Sequence, residues 1–223
     1  MVSTTQKKRT PVVMRNATRA DVPRLALLNR HAYPDLVEAN VVWSEEQLAQ
    51  HLVVFPEGQR VAEATSKAPD EAVVGAISTF IVPVGTDPLA QHTWLEITDH
   101  GRFTRHDARG DTLYLADIYV DRASWGMGIG EQLYAGLQRL CISLGCTRIV
   151  AGGRLWGYHE HDAKLTPSAY VEQVIARKIP DRVLSSQLKA GFEVRGILTD
   201  YLRDPRSRNF ATLLEWRAPK SAD

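Results

Sequence analysis

Leu113-Tyr-Leu-Ala-Asp-Ile-Tyr-Val120 is followed, four residues on, by Trp125-Gly-Met-Gly-Ile-Gly130 and then by Leu133, Tyr134, Leu137, Leu140, Cys141 and Leu144. The first run is β-branched and aromatic, the composition of a buried strand. The last set recurs at helical spacing, and Gly145 stands where a left-handed C-terminal cap is expected. The glycines at 126, 128 and 130 lie between them. The segment therefore reads as strand, glycine turn, helix. Such a turn lets backbone N–H groups point into one concavity, and the helix adds its positive end, which together suit a phosphate. A purely structural strand-to-helix turn is the alternative for an isolated Gly-x-Gly-x-Gly.

Spacing separates the phosphate-binding templates. A Walker loop ends in Gly-Lys-Ser/Thr, whereas Gly130 is followed by Glu131-Gln132. A dinucleotide fingerprint needs glycines at steps one, three and six after a first strand. Here position 131 is Glu, position 133 is Leu, and roughly 110 residues precede the turn.

Upstream, Val12 to Arg15 predicts a strand, and Thr18-Arg-Ala-Asp21 caps a helix through Leu25, Leu28 and Asn29. Ser44, with Glu45, Glu46 and Gln47 in the first turn, caps a second helix that ends before Pro56. Strands are expected at Arg60 to Thr65 and Val73 to Val82, then a long excursion over 83–110 with a short helix near Leu89 to Ile97. Downstream, Thr147 to Ala151 predicts a strand, Pro167 to Arg177 a helix within an insertion, and Asp181 to Ala190 a helix ending at Gly191. Phe192 to Leu198 and Phe210 to Trp216 are the last strands, joined through a polar turn around Asp204-Pro-Arg-Ser-Arg208.

Arg122 to Gly130, after a strand and opening an amphipathic helix, resembles the acyl-CoA pyrophosphate loop of the GNAT acetyltransferase superfamily, written Gln/Arg-x-x-Gly-x-Gly/Ala. Gly128 and Gly130 fall on its required glycines; Trp125 falls on the Gln/Arg position and is a departure. The order of elements from Val12 to Trp216, Thr18-x-x-Asp21 and the Gly191-Phe192 turn also match. Gly152-Gly-Arg154, Tyr158 and Val183-Leu-Ser-Ser-Gln-Leu188 look like the acetyltransferase module that some bacterial proteins fuse to a nitrilase-like amidase.

The resemblance implies an α/β (α+β) fold with a mixed, mostly antiparallel central sheet flanked by helices. One domain would span 11–220, with additions at about 83–110 and 154–180 and a frayed tail over 1–10. It implies acetyl-CoA as cosubstrate and direct transfer to an amine acceptor. Ile118, Tyr119 and Val120 would pair with the pantetheine arm, since an exposed strand edge can bind its two amides as an added strand. The N–H groups of Trp125, Gly126, Met127, Gly128, Ile129, Gly130 and Glu131 would hold the diphosphate. A catalytically silent acyl-CoA-binding module is the alternative.

An amine of pKa near 10.4 is about one part in a thousand neutral at pH 7, so a base is useful. Asp117 is the best carboxylate, in an otherwise apolar strand where burial would raise its pKa; a structural aspartate is the competing role. Relatives that read Glu-Asp here place the base at the Glu, and this chain has Ala116. Where family members often carry an acid Tyr it has Gln187, which leaves the acid unassigned. In Arg154-Leu-Trp-Gly-Tyr-His-Glu-His-Asp162, Arg154 could clamp a substrate carboxylate, Tyr158 could act as acid or base, and His159 could do so or bind substrate. The same block could equally be a solvated loop. His-Glu-His supplies only two nitrogens, too few for a metal site.

With 27 Lys plus Arg against 26 Asp plus Glu, the net charge of +1 gives no global pull towards nucleic acid or anionic lipid. No apolar run reaches the roughly 18–20 residues of a membrane span, and the polar start has no signal-peptide core, so a cytoplasmic protein is expected. Cys141 and Cys146 read as buried or half-buried thiols, the four tryptophans at 43, 94, 156 and 216 as core or dimer-surface residues, and a homodimer is possible.

Overall fold

A computed structural model describes residues 9–36 and 41–219. Seven strands form one sheet: β1 (Val13–Asn16), β2 (Gln59–Glu63), β3 (Val73–Ile81), β4 (Thr112–Val120), β5 (Arg148–Arg154), β6 (Glu193–Leu198) and β7 (Ala211–Arg217). Their order is β1-β2-β3-β4-β5-β7-β6. Every neighbouring pair is antiparallel except β4 and β5, which run parallel. The sheet is thus mixed and mostly antiparallel, as expected.

Six helices flank it: α1 (Val22–Ala32), α2 (Glu45–Val54), α3 (Trp94–Thr98), α4 (Ile129–Ser143), α5 (Pro167–Ile175) and α6 (Arg182–Lys189). Their ends follow from local chemistry. Before α1, the Asp21 carboxylate takes the Thr18 N–H at 2.7 Å and its hydroxyl at 2.8 Å. At α2, Ser44 and Gln47 exchange reciprocal bonds of 3.1 and 3.0 Å, the capping box expected of that sequence. Leu144 closes α4 and Gly145 follows with φ of +72°, so that Cys146 N–H reaches back to Cys141 C=O at 3.0 Å. No helix among the described residues is long and apolar enough to cross a membrane.

The helices divide the core in two. On one face Leu133, Leu137 and Leu140 of α4 pack on Leu113, Leu115, Ile149 and Leu214. On the other, Leu25 and Leu28 of α1, Leu48 of α2, Trp43 and Trp94 pack on Val61, Phe80, Tyr114 and Val150. Both cysteines are buried on the α4 side as free thiols.

Three local expectations shift. The short helix sits at Trp94–Thr98, its cap supplied by Thr93 rather than by the residues near Leu89. β5 extends to Arg154, because β7 pairs with it through Gly152, Gly153 and Arg154 beyond the point where β4 leaves. Within the polar turn, Pro205 and Arg208 are exposed but Asp204 is fully buried and takes bonds from Arg154, Ser207 and the Arg206 N–H. Of the expected tail, Thr10 N–H bonds Met127 C=O at 3.1 Å and Arg9 pairs with Glu131 at 3.2 Å. Residues 1–8 and Ser221 to Asp223 lie outside the described residues.

Two features open the middle of the sheet. β4 pairs with β5 only from Thr112↔Arg148 to Leu115↔Ala151, so Ala116 to Val120 have no strand on that side. At the same place the β3–β4 register slips: Ser78 faces Asp117 and Thr79 faces Leu115, leaving Ala116 as an extra residue. The slip changes the alternation. Leu113 and Leu115 face α4 while Tyr114 faces α1; after the bulge, Ile118 and Val120 face α4 while Asp117 and Tyr119 face α1. Without the bulge Asp117 would share the α4 face with Leu115.

Tyr201 lies across β5 where the strands part: a Cβ added to Gly152 would sit 2.1 Å from the Tyr201 ring carbon Cζ. Gly152→Ala should therefore cost about 1–3 kcal/mol through overpacking, or roughly 3–10 °C in melting temperature. Thermal unfolding monitored by circular dichroism checks this, and an unchanged midpoint would contradict it.

Candidate active site

The parted strands lead into a cavity of about 980 Å³. One half is built from the free edge of β4, the glycine loop, the start of α4 and the length of α6. The other is walled by Tyr33 to Leu36, Val41, Trp94, Asp117, Arg154 and Tyr201.

In the first half Gly126 and Gly128 have φ of +80° and +72°, the left-handed region that favours glycine. Gly128 caps α4, whose first turn opens on the cavity through Ile129, Gly130 and Glu131. Two positive-φ glycines leading into a helix N-terminus are the backbone geometry from which an anion nest can be built. Ile118, Tyr119 and Val120 line the same half, as do Trp125 and Gly126. Met127 does not: its sulfur turns to the Thr10 hydroxyl at 3.5 Å and its side chain packs on the core. The β4 edge is also less bare than expected. The carbonyls of Ala116, Ile118 and Val120 accept bonds from Trp94 Nε1 (3.2 Å), the Tyr33 hydroxyl (3.0 Å) and Trp125 Nε1 (3.0 Å).

Trp125 carries more than that bond. The Arg182 guanidinium stands 3.9 Å from its ring centre and Arg122 stands 5.1 Å away. Arg182 also lies 5.0 Å from Trp156, which carries Arg206 at 3.8 Å. Arg122, Trp125, Arg182, Trp156 and Arg206 thus form one continuous stack along the cavity wall. Among the described residues no carboxylate pairs with any of these three guanidinium groups. Glu131, the acid nearest the nest, is neutralised by Lys189 at 2.5 Å and by Arg9.

Asp117 sits half-buried on the floor of the second half. Its carboxylate accepts from Asn29 Nδ2 at 2.6 Å, Trp43 Nε1 at 2.7 Å and the Tyr33 hydroxyl at 2.6 Å. Burial pushes its pKa up to about 6, against the pull of these bonds and of the Ile118 N–H. Two side-chain donors occupy Oδ2 and one occupies Oδ1, and with the Ile118 N–H they match the four lone-pair sites of the carboxylate. Among the described residues no arginine or lysine pairs with Asp117.

The other sequence candidates are placed differently. Arg154 lines the cavity, but its Nε and Nη2 hold Asp204 at 2.7 and 2.9 Å, and Nη2 also holds Asp35 at 2.7 Å. It is an internal ion-pair centre rather than an open clamp, because two carboxylates neutralise it. Burial alone would lower its pKa, but the bonds to Asp204 and Asp35 outweigh that and hold it protonated. Tyr158 is buried in the core against Tyr170 and Phe210, its hydroxyl donating to Leu165 C=O at 2.9 Å. It is not among the cavity residues and is withdrawn as an acid or base. His159 is likewise off the cavity, beside Glu160 at 3.7 Å, since the turn at 158–160 aims it away.

Sequence reading missed Asn29, Tyr33 and Trp43 around Asp117, and Arg182, Arg206 and Trp156 along the stack. It also missed Tyr134, which enters the cavity from α4 beside the buried Gln187. Burial pushes the Tyr134 phenol above its ordinary range, so it stays a hydrogen-bond donor. Only proximity in the fold unites these residues, which the sequence scatters from 29 to 206.

Comparison with known proteins decides the family. The profile of the "Acetyltransferase (GNAT) family" matches residues 28–161. The chain is 32% identical over 206 residues to "Uncharacterized N-acetyltransferase YkwB" of Bacillus subtilis, covering 92% of this chain and 88% of that protein. The chain belongs to the GNAT acetyltransferase family.

It is also 34% identical over 206 residues to "Probable hydrolase YhcX" of Bacillus subtilis, covering 92% of this chain but 38% of that longer protein. Among solved structures, the GNAT-like decarboxylase GphF in complex with isobutyryl-CoA superposes with a TM-score of 0.73 at 22% identity, over 93% of this chain and all of that one. A putative acetyltransferase of Salmonella typhimurium, solved with its cofactor acetyl-CoA, gives 0.53 at 17% identity, over 95% and 96%. At those identities the likeness shows the fold. Acetyl-CoA is the cosubstrate of this GNAT family.

Asp117 has a measurable signature in stability. Its folded pKa of about 6 lies above the ordinary carboxylate value, so folding takes up a proton between about pH 4 and 6. Ionised Asp117 therefore opposes folding, and its contribution falls as pH rises through that window. In Asp117→Asn the Tyr33 hydroxyl can keep its bond to Ile118 C=O and accept from the new amide. The difference in unfolding free energy between Asp117→Asn and the native chain should shift in favour of Asn from pH 4 to pH 7. Urea unfolding at the two pH values measures it, and a constant difference would refute the raised pKa.

Proposed function

We propose that this GNAT protein transfers the acetyl group of acetyl-CoA directly to the nitrogen of an amine, through a ternary complex. The observation that carries the reading is Asp117, a half-buried carboxylate that lines the same cavity as the glycine turn, on the face opposite α4, and whose Tyr33 partner can turn its hydroxyl to the Ile118 carbonyl. The N–H groups of Gly126 to Glu131 hold the diphosphate, and Arg122, Arg182 and Arg206, which have no carboxylate partner among the described residues, add positive charge beside it. The pantetheine arm follows Ile118 to Val120, where Tyr33 and Trp125 already mark the carbonyls a neighbouring strand would bond.

The acceptor enters from the Tyr33 and Trp94 side. Its ammonium gives a proton to solvent, the neutral nitrogen attacks the thioester carbonyl, and Asp117 takes the second proton that the nitrogen sheds as the C–S bond breaks and the amide forms. CoA leaves as a thiolate, which a group of pKa about 8.5 does readily near neutrality. Tyr134 offers the leaving sulfur a hydrogen bond, and solvent supplies its proton. Neither cysteine is in the cavity, so no covalent acetyl carrier is available there. Decarboxylation of a carboxyacyl-CoA would need a free cation beside the acyl group, and Arg154 is already neutralised by Asp35 and Asp204.

Titration with acetyl-CoA, CoA, NAD and ATP, followed by thiol release with pooled amines, tests the reading. CoA species should bind in preference to NAD and ATP, and release should depend on amine. Binding without release from any amine would instead favour a silent acyl-CoA module. In the active protein kcat/KM, taken per free amine, should rise with pH through an ionisation near 6, the value to which burial pushes Asp117. Asp117→Asn should abolish that limb and lower kcat by about 10²–10⁴. Arg182→Ala, which breaks the stack at its centre, should weaken acetyl-CoA about tenfold with a smaller change in kcat.

A further inference from the structure

We infer that the acceptor is a small primary amine with an apolar or aromatic body and no carboxylate beside its nitrogen. This rests on the N-acetyltransferase reading above and names the substrate class of that site. The acceptor half is walled by Pro34, Leu36, Val41, Trp94, Tyr201 and Leu202. The Tyr201 hydroxyl points away from it, bonded to Tyr114 at 3.0 Å. The Trp94 N–H is spent on Ala116 C=O at 3.2 Å. These rings therefore offer the ligand faces rather than polar atoms.

The charges that remain favour a cation. Asp117 and Asp35 both line this half. Its guanidinium, Arg154, is only 11% exposed and is shared between Asp35 and the fully buried Asp204. Among the described residues, three carboxylates thus stand at this end against one guanidinium, two of them bonded to it, and a fourth brought in on the acceptor would meet net negative charge. Arg206, the next cation along the wall, is held on the Trp156 face at 3.8 Å. An ammonium instead meets Asp117 and Asp35. The same 980 Å³ must also hold the thioester arm, which keeps the acceptor small.

The test uses phenethylamine, phenylalaninamide and phenylalanine, which share one ring and amine and differ in hydrogen, neutral amide or carboxylate on the α carbon. Rates are compared per concentration of free amine, so that basicity cancels. Phenethylamine and phenylalaninamide should react at least about tenfold better in kcat/KM than phenylalanine. Asp35→Asn removes one of the two carboxylates on Arg154 and should narrow the amide-to-acid ratio by about tenfold, whatever its effect on absolute rate. Equal use of phenylalanine and its amide, or a ratio unmoved in Asp35→Asn, would overturn the inference. So would silence with all three while amino acids or polyamines react. Acetyl-CoA binding with no release from any amine would instead overturn the transferase reading.

Discussion

One extra residue in β4 sets the geometry on which the rest depends. Ala116 has no counterpart in β3, and its insertion turns the strand by one position. Asp117 is thereby sent to the α1 face, and Ile118 and Val120 are turned to the α4 face. β5 stops pairing with β4 at the same level, so the phase change and the parting of the strands coincide. A regular β4 would put the carboxylate against Leu133 and Leu137, with no donor to receive it. A regular β5 would cover the edge on which a thioester arm can lie. On the proposed mechanism, the bulge separates two tasks along five residues: binding along the edge and proton handling on the face behind it.

The cavity is polarised along its length. Its mouth carries the nest, the α4 terminus, three stacked arginines and a Glu131 neutralised from both sides. Its inner end carries Asp117, Asp35 and an arginine already balanced by carboxylates. A ligand with a polyphosphate tail and a neutral thioester head is oriented by that gradient before any specific contact forms. In the proposed ternary complex, an ammonium approaching from the other side is drawn to the end where the thioester would lie. A net charge of +1 conceals this arrangement, because the two ends cancel in the sum.

The legible parts of the sequence were those governed by local rules. β4 ends where its β-branched run ends, α2 begins at its capping box, and Gly128 and Gly145 take the positive φ that glycine favours. The illegible parts were relations between distant residues. A bulge depends on the partner strand, and β3 lies nearly 40 residues before Asp117 in the chain. Arg154 looked like a free clamp because its two partners, Asp35 and Asp204, lie 119 and 50 residues away. Tyr158 and His159 had suitable chemistry, but a short turn directs one into the core and the other away from the cavity. Composition named candidate side chains; only packing assigned their directions.

The departure at Trp125 shows how a lost local charge is restored by packing. In the family pattern this position carries Gln or Arg, whose side chain can reach an anion. Tryptophan cannot supply a cation, yet its indole is a large flat surface at the mouth of the nest. Arg182 from the start of α6 lies against it at 3.9 Å and Arg122 at 5.1 Å, so guanidinium charge returns from two other elements. The indole N–H meanwhile holds the Val120 carbonyl at 3.0 Å, fixing the last residue of the strand edge. Because Arg182 also touches Trp156, the glycine loop after β4 is coupled through side chains to the segment after β5. The parted strands are therefore tied together at the mouth by a stack of rings and guanidiniums, where a continuous sheet would have closed the cavity.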